Sequence, residues 1–294
     1  MFVATLISAR NDPRVNRTLA SEAVDRAGVG DVHWLEDGVA CDIVIEQPMT
    51  SDIVDSLHRL AREEAVDCVV QQLAGRRKRL LLADMDSTMI EQECIDELAD
   101  ALGIKDKVAG ITARAMNGEI AFEPALRERV ALLRDLPVSV IDEVIEKRIT
   151  LAEGGRELVA TMRLNGARTA LVSGGFTAFT SVIAERLGFD ENRANTLNAT
   201  DGKLDGTVGE PILGAQAKLD ALNAIAEEHG LRLADTMAVG DGANDLPMIL
   251  AAGSGVAIHA KPTVAAKAPF RIDHGDLTAL LFMQGYRARD FHTR

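Results

Sequence analysis

The chain has 294 residues and a formal net charge of −13; 47% of the residues are hydrophobic and 26% are charged. This composition is typical of a soluble globular protein, and the length allows two domains. The acidic balance argues against a nucleic-acid-binding surface, which needs clustered Lys and Arg. If such a protein binds a phosphorylated ligand, it must bring local positive charge to it from a metal ion or a few placed cations.

The cysteines and the hydropathy bear on the compartment. Cys41, Cys68 and Cys94 are odd in number and form no C-x-x-C pair, which fits free thiols and excludes a disulfide framework or a Cys-based zinc site. The first residues carry no basic segment before a short apolar run, so we predict no signal peptide. No run of apolar residues is long enough to predict a transmembrane helix. We therefore expect a cytoplasmic protein with no membrane partner.

Residues 1–75 predict a small α/β unit. The expected strands and helices, in chain order, are Phe2–Ser8, helix Val15–Ala27, Val32–Leu35, Val39–Glu46, helix Ser51–Ala65 and Val66–Gln71. Asp37-Gly38 predicts the tight turn between the second and third strands. The order β-α-β-β-α-β is that of a ferredoxin-like α+β domain. The pattern resembles an ACT-type domain, a module that often binds amino acids, and it suggests either amino-acid sensing or a homodimer formed through this unit.

A basic run, Arg76–Arg79, follows this unit. We interpret it as a solvated linker in preference to a binding patch. It predicts a boundary between a domain of residues 1–75 and a domain of residues 76–294, with few packed contacts across it.

The second domain alternates short apolar runs with helix patterns. The runs that predict buried parallel strands are Leu80–Ala83, Thr169–Val172, Thr236–Val239 and Gly255–Ile258, and the helices are Gly155–Leu164, Ala178–Leu187 and Gln216–His229. This alternation predicts an α/β fold with a Rossmann-like, mostly parallel sheet. Residues 91–150 have helical patterns only and are too long for a crossover, so we predict a helical cap inserted over the sheet.

Two carboxylates follow the first of these strands. Asp84 can attack phosphorus and form an aspartyl-phosphate, and Asp86 can protonate the leaving oxygen and then activate water. The alternative for this D-x-D-x-T run is a polar loop or a helix N-cap.

Two of the other three clusters also follow predicted strands, and the third, Lys218, opens the predicted helix Gln216–His229. Ser173 and Gly174 can cradle phosphate oxygens, although an ordinary turn explains them equally well. Lys218 could offset repulsion between a phosphate and the carboxylates, but alone it would be taken for a surface lysine. In the run Gly240–Asp245, Asp241 could bind Mg²⁺ together with Asp84, although the alternative is a plain turn.

Together the four clusters resemble the haloacid dehalogenase-like superfamily of aspartate-nucleophile phosphatases, over residues 79 to about 285. The runs Asp84–Glu93 and Met116–Gly118, together with Phe122, Arg129 and Asp205-Gly206, are similar to the phosphoserine phosphatase family. This resemblance implies that Glu93 binds the substrate ammonium and Arg129 its carboxylate, and that Met116 and Phe122 close over the ligand. Without the resemblance, Glu93 and Arg129 would be read as helix-surface charges.

The resulting expectation is Mg²⁺-dependent hydrolysis of the small molecule O-phosphoserine, the last step of serine biosynthesis. The expected metal ligands are Asp84, Asp86 and Asp241, with Asp245 orienting Lys218 or a metal-bound water. Ser173, Gly174, Lys218 and Asn244 are expected to hold the phosphoryl oxygens. The alternatives are a phosphatase or phosphotransferase for another small phosphomonoester, and an amino-acid-sensing protein.

Overall fold

The computed structural model describes residues 1–293, with the side chain of Met116 outside the described part. The strands are β1 (Phe2–Ile7), β2 (Asp31–Glu36), β3 (Ala40–Ile45), β4 (Asp67–Gln72), β5 (Leu80–Ala83), β6 (Arg168–Phe176), β7 (Glu191–Asn195), β8 (Leu197–Thr200), β9 (Lys203–Val208), β10 (Thr236–Gly240), β11 (Ser254–Ile258) and β12 (Phe270–Ile272).

The helices complete the α/β architecture. They are α1 (Arg17–Ala27), α2 (Ser51–Glu63), α3 (Cys94–Asp100), α4 (Lys105–Met116), α5 (Phe122–Ala131), α6 (Ser139–Lys147), α7 (Gly155–Leu164), α8 (Thr177–Leu187), α9 (Ala215–Glu228), α10 (Leu246–Ala251), α11 (Pro262–Ala265) and α12 (Ala279–Phe282). No helix within residues 1–293 combines the length and the apolar character needed to cross a bilayer.

The N-terminal sheet is antiparallel, with strand order β2-β3-β1-β4, and its connections contain α1 and α2. This confirms the predicted ferredoxin-like arrangement. Both helices begin at a capping side chain, since Asn16 accepts a hydrogen bond from Leu19 N and Thr50 accepts one from Ile53 N. The helices cover one face of the sheet, where they pack with Ala4, Leu6 and Ile43.

The opposite face of the same sheet packs against the rest of the chain. Because side chains alternate along a strand, Ile7 on β1 points away from α1 and α2 and joins the core that contains Leu81 and Phe282. Val69 on β4 belongs to that core as well. The sheet is therefore buried on both faces, although only one of them is covered by its own helices.

Hydrogen bonds also join the two parts of the chain. The Asp67 carboxylate accepts hydrogen bonds from the backbone N–H groups of Asp273, His274 and Gly275, at 2.7, 3.1 and 2.8 Å respectively. Gln71 donates to Met283 O, and Arg76 pairs with the buried Asp42 at 2.7 Å. The expectation that few packed contacts cross the basic linker is wrong, because the strand before the linker and the C-terminal segment share a core.

The second sheet has the order β12-β11-β10-β5-β6-β7, and all its strands are parallel. β5 lies at its centre, between β10 and β6. The residues that follow these three strands therefore meet at one sheet edge. The cap consists of α3 to α6, as predicted, and an isolated bridge between Ile90 and Leu151 pairs the two chain segments that connect it to the sheet.

Candidate active site

The site is built around Asp84, the first residue after β5. Its backbone N–H donates to Val239 O on the neighbouring strand at 3.0 Å, which fixes the residue at the sheet edge. Asp84 Oδ1 accepts hydrogen bonds from Met85 N at 2.8 Å and from Lys218 Nζ at 2.6 Å. The side chain is almost fully buried. Burial, followed by the nearby charge of Asp245, raises the pKa of Asp84, and Lys218 opposes this by favouring the ionised carboxylate.

Lys218, in the first turn of α9, is completely buried. Its Nζ lies 2.6 Å from Asp84 Oδ1 and 2.6 Å from Asp245 Oδ1. Burial alone would lower the pKa of Lys218, but the two carboxylates raise it above its ordinary value. A lysine held in this way remains a cation beside the carboxylate at the strand end. Lys218 is therefore not a surface lysine, although its residue type alone would suggest one.

Oxygen atoms of Asp84, Asp241 and Asp245 lie within 4.8 Å of one another. The oxygens of Asp245 are already used, since Oδ1 accepts from Lys218 and Oδ2 accepts the N–H groups of Asp241 and Gly242. Asp241 Oδ2 is buried and has no hydrogen-bond partner among the described residues. Burial, together with the neighbouring carboxylates, raises the pKa of Asp241. Lys261 Nζ is 3.8 Å from this oxygen, beyond hydrogen-bond distance. A buried carboxylate oxygen that accepts no hydrogen bond beside Asp84 fits a hard divalent cation, which prefers oxygen ligands.

The carboxylate of Asp86 faces a different direction. Its Oδ1 accepts Cys94 N at 2.8 Å, and its Oδ2 accepts the hydroxyl of Ser173 at 3.2 Å. Within residues 1–293 this carboxylate is not part of the group formed by Asp84, Asp241 and Asp245. Its hydrogen bond with Cys94, the first residue of cap helix α3, places it between the sheet edge and the cap.

The last residues of β6 provide hydrogen-bond donors. Gly175 N donates to Ser173 Oγ at 2.8 Å, which turns the Ser173 hydroxyl toward Asp86. Gly174 lies directly under the ring of Phe122 from the cap: a Cβ added at Gly174 would be 2.6 Å from Phe122 Cζ. The absence of a side chain at Gly174 is thus what allows the cap to approach the sheet this closely.

On the cap side, Glu93 stands at the start of α3. Its Oε1 accepts the Ser87 hydroxyl at 2.6 Å. Burial and the charge of Asp86 raise the pKa of Glu93 to about 7, while the hydrogen bond from Ser87 lowers it. Ser87 has a positive φ of 52°, an uncommon conformation for a residue with a side chain, and this turn directs its hydroxyl to Glu93.

Arg129 on α5 is buried. Its Nε donates to Ala125 O at 3.2 Å and its Nη1 donates to Thr112 Oγ1 at 3.0 Å. Burial lowers the pKa of Arg129, and the charges of Glu93, Asp96 and Asp86 oppose this. Arg129 is therefore not a solvent-exposed charge on the outside of the cap.

One cavity joins these groups. Its lining contains Asp84, Asp86, Glu93, Ile95, Thr112, Ala115, Phe122, Leu126, Arg129, Ser173, Gly174, Gly175, Phe176 and Asn244. Most residues expected to bind substrate thus share one space with the expected nucleophile. Lys218 is not among these lining residues, but it contacts Asp84 Oδ1. The side chain of Met116 lies outside the described residues.

The sequence interpretation missed Ser87, Thr112, Ile95 and Leu126. Ile95 and Leu126 form apolar walls and look like ordinary core positions of helices. Ser87 lies inside the D-x-D-x-T run, so its position gave a usable signal. Thr112 gave none, because a threonine in a helix carries no distinctive pattern.

The sequence model for haloacid dehalogenase-like hydrolases matches residues 81–250, which contain every residue of this site. The chain belongs to the haloacid dehalogenase-like hydrolase family. A phosphoserine phosphatase of Vibrio cholerae is 47% identical over 189 residues, which cover 64% of this chain but only 57% of that protein. A probable phosphoserine phosphatase of Schizosaccharomyces pombe is 43% identical over 80% of each chain.

Solved structures of family members show the same fold. A hydrolase of the family from Salmonella enterica serovar Typhi superposes with a TM-score of 0.85, at 27% identity, over 97% of this chain and 99% of the other. A phosphoserine phosphatase solved as a phospho-aspartyl intermediate analogue has a TM-score of 0.67 and 43% identity, covering 70% of this chain and 98% of the other. The first match spans nearly the whole chain and therefore includes the N-terminal sheet.

Proposed function

We propose that this family member is a phosphoserine phosphatase, which hydrolyses O-phosphoserine to serine and phosphate. The observation that carries the proposal is that Glu93 and Arg129 face the same cavity as Asp84. Phosphoserine presents an ammonium, a carboxylate and a phosphate. An acid, a fork-shaped cation and a nucleophile beside a cation site are the complementary groups.

In the first step, an oxygen of the Asp84 carboxylate attacks phosphorus. The bond from phosphorus to the serine oxygen breaks, and the serine oxygen keeps the electron pair of that bond. The same oxygen takes a proton from Asp86. Ser173, Gly174 and Asn244 line the cavity where the phosphoryl oxygens would lie, and Lys218 supplies positive charge at Asp84.

In the second step, Asp86 takes a proton from a water molecule that attacks the aspartyl-phosphate. The bond between phosphorus and the Asp84 oxygen breaks, which restores the Asp84 carboxylate and releases phosphate. The hydrogen bond between Ser173 and Asp86 supports this role, because it holds the Asp86 carboxylate at the edge of the cavity. Closure of Phe122 over Gly174 would exclude bulk water while the serine leaves.

The proposed cofactor is Mg²⁺, held by Asp84 and Asp241. When bound, it would neutralise negative charge on the phosphoryl oxygens. Asp245 is assigned to Lys218 and to the backbone of the Asp241 loop, because both of its oxygens already accept hydrogen bonds there.

The test compares three phosphomonoesters. Phosphoethanolamine lacks the carboxylate of phosphoserine, and 3-phosphoglycerate replaces the ammonium with a hydroxyl. We expect kcat/KM for phosphoserine to exceed both by at least about 100-fold, because each analogue leaves one buried charge unpaired. Activity should disappear with a chelator and return with Mg²⁺. Equal values of kcat/KM for the three esters would refute the assignment of substrate.

The other parts of the proposal concern the whole chain. We infer a role at the last step of serine biosynthesis, in the cytoplasm, with residues 1–75 as an ACT-like domain that binds an amino acid or forms a homodimer and residues 76–294 as the phosphatase domain. The ferredoxin-like strand order supports the first of these domains. Ultracentrifugation of the full chain with and without serine would test both roles of the N-terminal sheet.

A further inference from the structure

Arg129 contacts no carboxylate directly in its hydrogen bonds within the described part of the chain. It donates to the hydroxyl of Thr112 at 3.0 Å, and that hydroxyl lies 2.7 Å from Asp96 Oδ1. The Val108 carbonyl, 3.1 Å from the same hydroxyl, is a second acceptor. Thr112, Asp96 and Arg129 belong to α4, α3 and α5, so this network joins three cap helices.

The direction of each hydrogen bond follows from the chemistry. Arginine only donates and an ionised carboxylate only accepts, while a hydroxyl does both with a single proton. Thr112 must therefore accept from Arg129 and give its own proton to an acceptor, of which Asp96 is the nearer and the charged one. All three side chains are buried, so water does not compete for these positions.

This arrangement leaves the outer part of Arg129 free for a ligand. A guanidinium has five N–H groups, and the bonds to Ala125 and Thr112 use one on Nε and one on Nη1. The remaining N–H groups, on Nη1 and Nη2, form the fork that fits a carboxylate. A direct ion pair with Asp96 would occupy that fork and weaken the attraction to a second carboxylate. A neutral hydroxyl between them fixes the orientation and leaves the fork open.

We propose that Thr112 is a positioning residue that sets the specificity of the site, by holding the Arg129 fork toward the substrate carboxylate. This inference rests on the proposed function, in which Arg129 binds that carboxylate. Thr112 does not touch the reacting atoms, so its effect should appear in the choice of substrate and not in the chemical step.

The experiment uses the full-length enzyme with saturating Mg²⁺ and measures a specificity ratio, kcat/KM for phosphoserine divided by kcat/KM for phosphoethanolamine. Thr112→Val has nearly the same shape but lacks the hydroxyl. We expect it to lower the ratio at least tenfold, mainly through KM for phosphoserine, while kcat/KM for phosphoethanolamine stays within threefold of the parent. Thr112→Ser keeps the hydroxyl and should keep the ratio within threefold.

Thr112→Val also leaves the buried Asp96 without its partner, which can impair folding. The double variant Thr112→Val/Asp96→Leu removes both polar groups and avoids that defect. The double variant should show the same decrease in the specificity ratio as Thr112→Val. An equal loss of kcat/KM on both substrates in the double variant would show that Thr112 supports only the structure of the cap, and would overturn the inference.

Arg129→Lys separates this inference from the function on which it rests. A ratio that falls in Arg129→Lys but not in Thr112→Val would refute the role of Thr112 alone. A ratio unchanged in Arg129→Lys, or a parent enzyme without turnover of phosphoserine, would refute the proposed function and the role of Thr112 with it.

Discussion

The contact between Gly174 and Phe122 makes the closed cap sensitive to a single methyl group. Gly174 has no positive φ, so Gly174→Ala is compatible with the backbone. The new Cβ would lie 2.6 Å from Phe122 Cζ and 3.0 Å from Cε2, whereas ordinary contacts are 3.4–4 Å. The ring must therefore retreat by about 1 Å, and overpacking of this kind typically costs about 1–3 kcal/mol.

The cost arises whenever the cap is closed as it is in this structure, and the proposed reaction requires that closure. We expect kcat/KM for phosphoserine to fall by roughly 5- to 150-fold, since about 1.4 kcal/mol corresponds to tenfold. The melting temperature should change little, because the free enzyme can relieve the contact by opening. Steady-state phosphate release and a thermal melt measure the two quantities.

Two controls make this test specific. Gly110→Ala adds a methyl group to α4 where no atom lies within 4 Å, so its kinetics should match the parent, with a gain in stability of about 0.5–1 kcal/mol. In a Phe122→Leu background, Gly174→Ala should cost less than about threefold, because the ring that it meets is gone. A loss of equal size in both backgrounds would refute the steric argument.

Three further predictions concern other groups. Asp84→Asn should lower kcat at least ~10³-fold, about 4 kcal/mol, with substrate binding by calorimetry largely retained; turnover within tenfold of the parent would contradict its role as nucleophile. Glu93, with its pKa raised to about 7, is protonated at lower pH and then cannot bind an ammonium, so KM for phosphoserine relative to 3-phosphoglycerate should rise about tenfold per pH unit below 7. A flat ratio from pH 5.5 to 8 would argue against that role. Asp67→Ala should lower the free energy of unfolding in urea by about 1–3 kcal/mol, because three backbone N–H groups lose their acceptor; an unchanged unfolding midpoint would show that water replaces it.

Much of the sheet was predictable because its buried strands are short apolar runs. Leu80–Ala83 and the helix Gly155–Leu164 have the predicted bounds, and β6 and β10 extend the predicted strands. By contrast, β7 was not predicted. Its sequence, Glu191–Asn195, is polar because it is an edge strand, and only its pairing with β6 makes it a strand.

The site was predictable where chemistry requires a residue type at a fixed distance from a strand end. Asp84 and Asp241 directly follow β5 and β10, and Ser173 lies near the carboxyl end of β6, so the sheet topology brings them together. The burial of Lys218 was not predictable from its own neighbourhood, because it depends on two carboxylates 134 and 27 positions away in the sequence. The hydrogen bond between Thr112 and Arg129 depends in the same way on how the cap helices pack.

The N-terminal sheet, buried on both faces, has a consequence for the order in which the chain folds during synthesis. α1 and α2 can cover one face as soon as Gln72 has left the ribosome, but the face with Ile7 and Val69 waits for α12. At roughly 5–20 residues per second, that delay lasts about 10–40 s. During this interval a nascent chain presents an apolar surface that its own sequence cannot yet cover. Chaperone dependence of newly made protein should therefore be traced to this early sheet, whose second face stays open until the C-terminal helix α12 has been made.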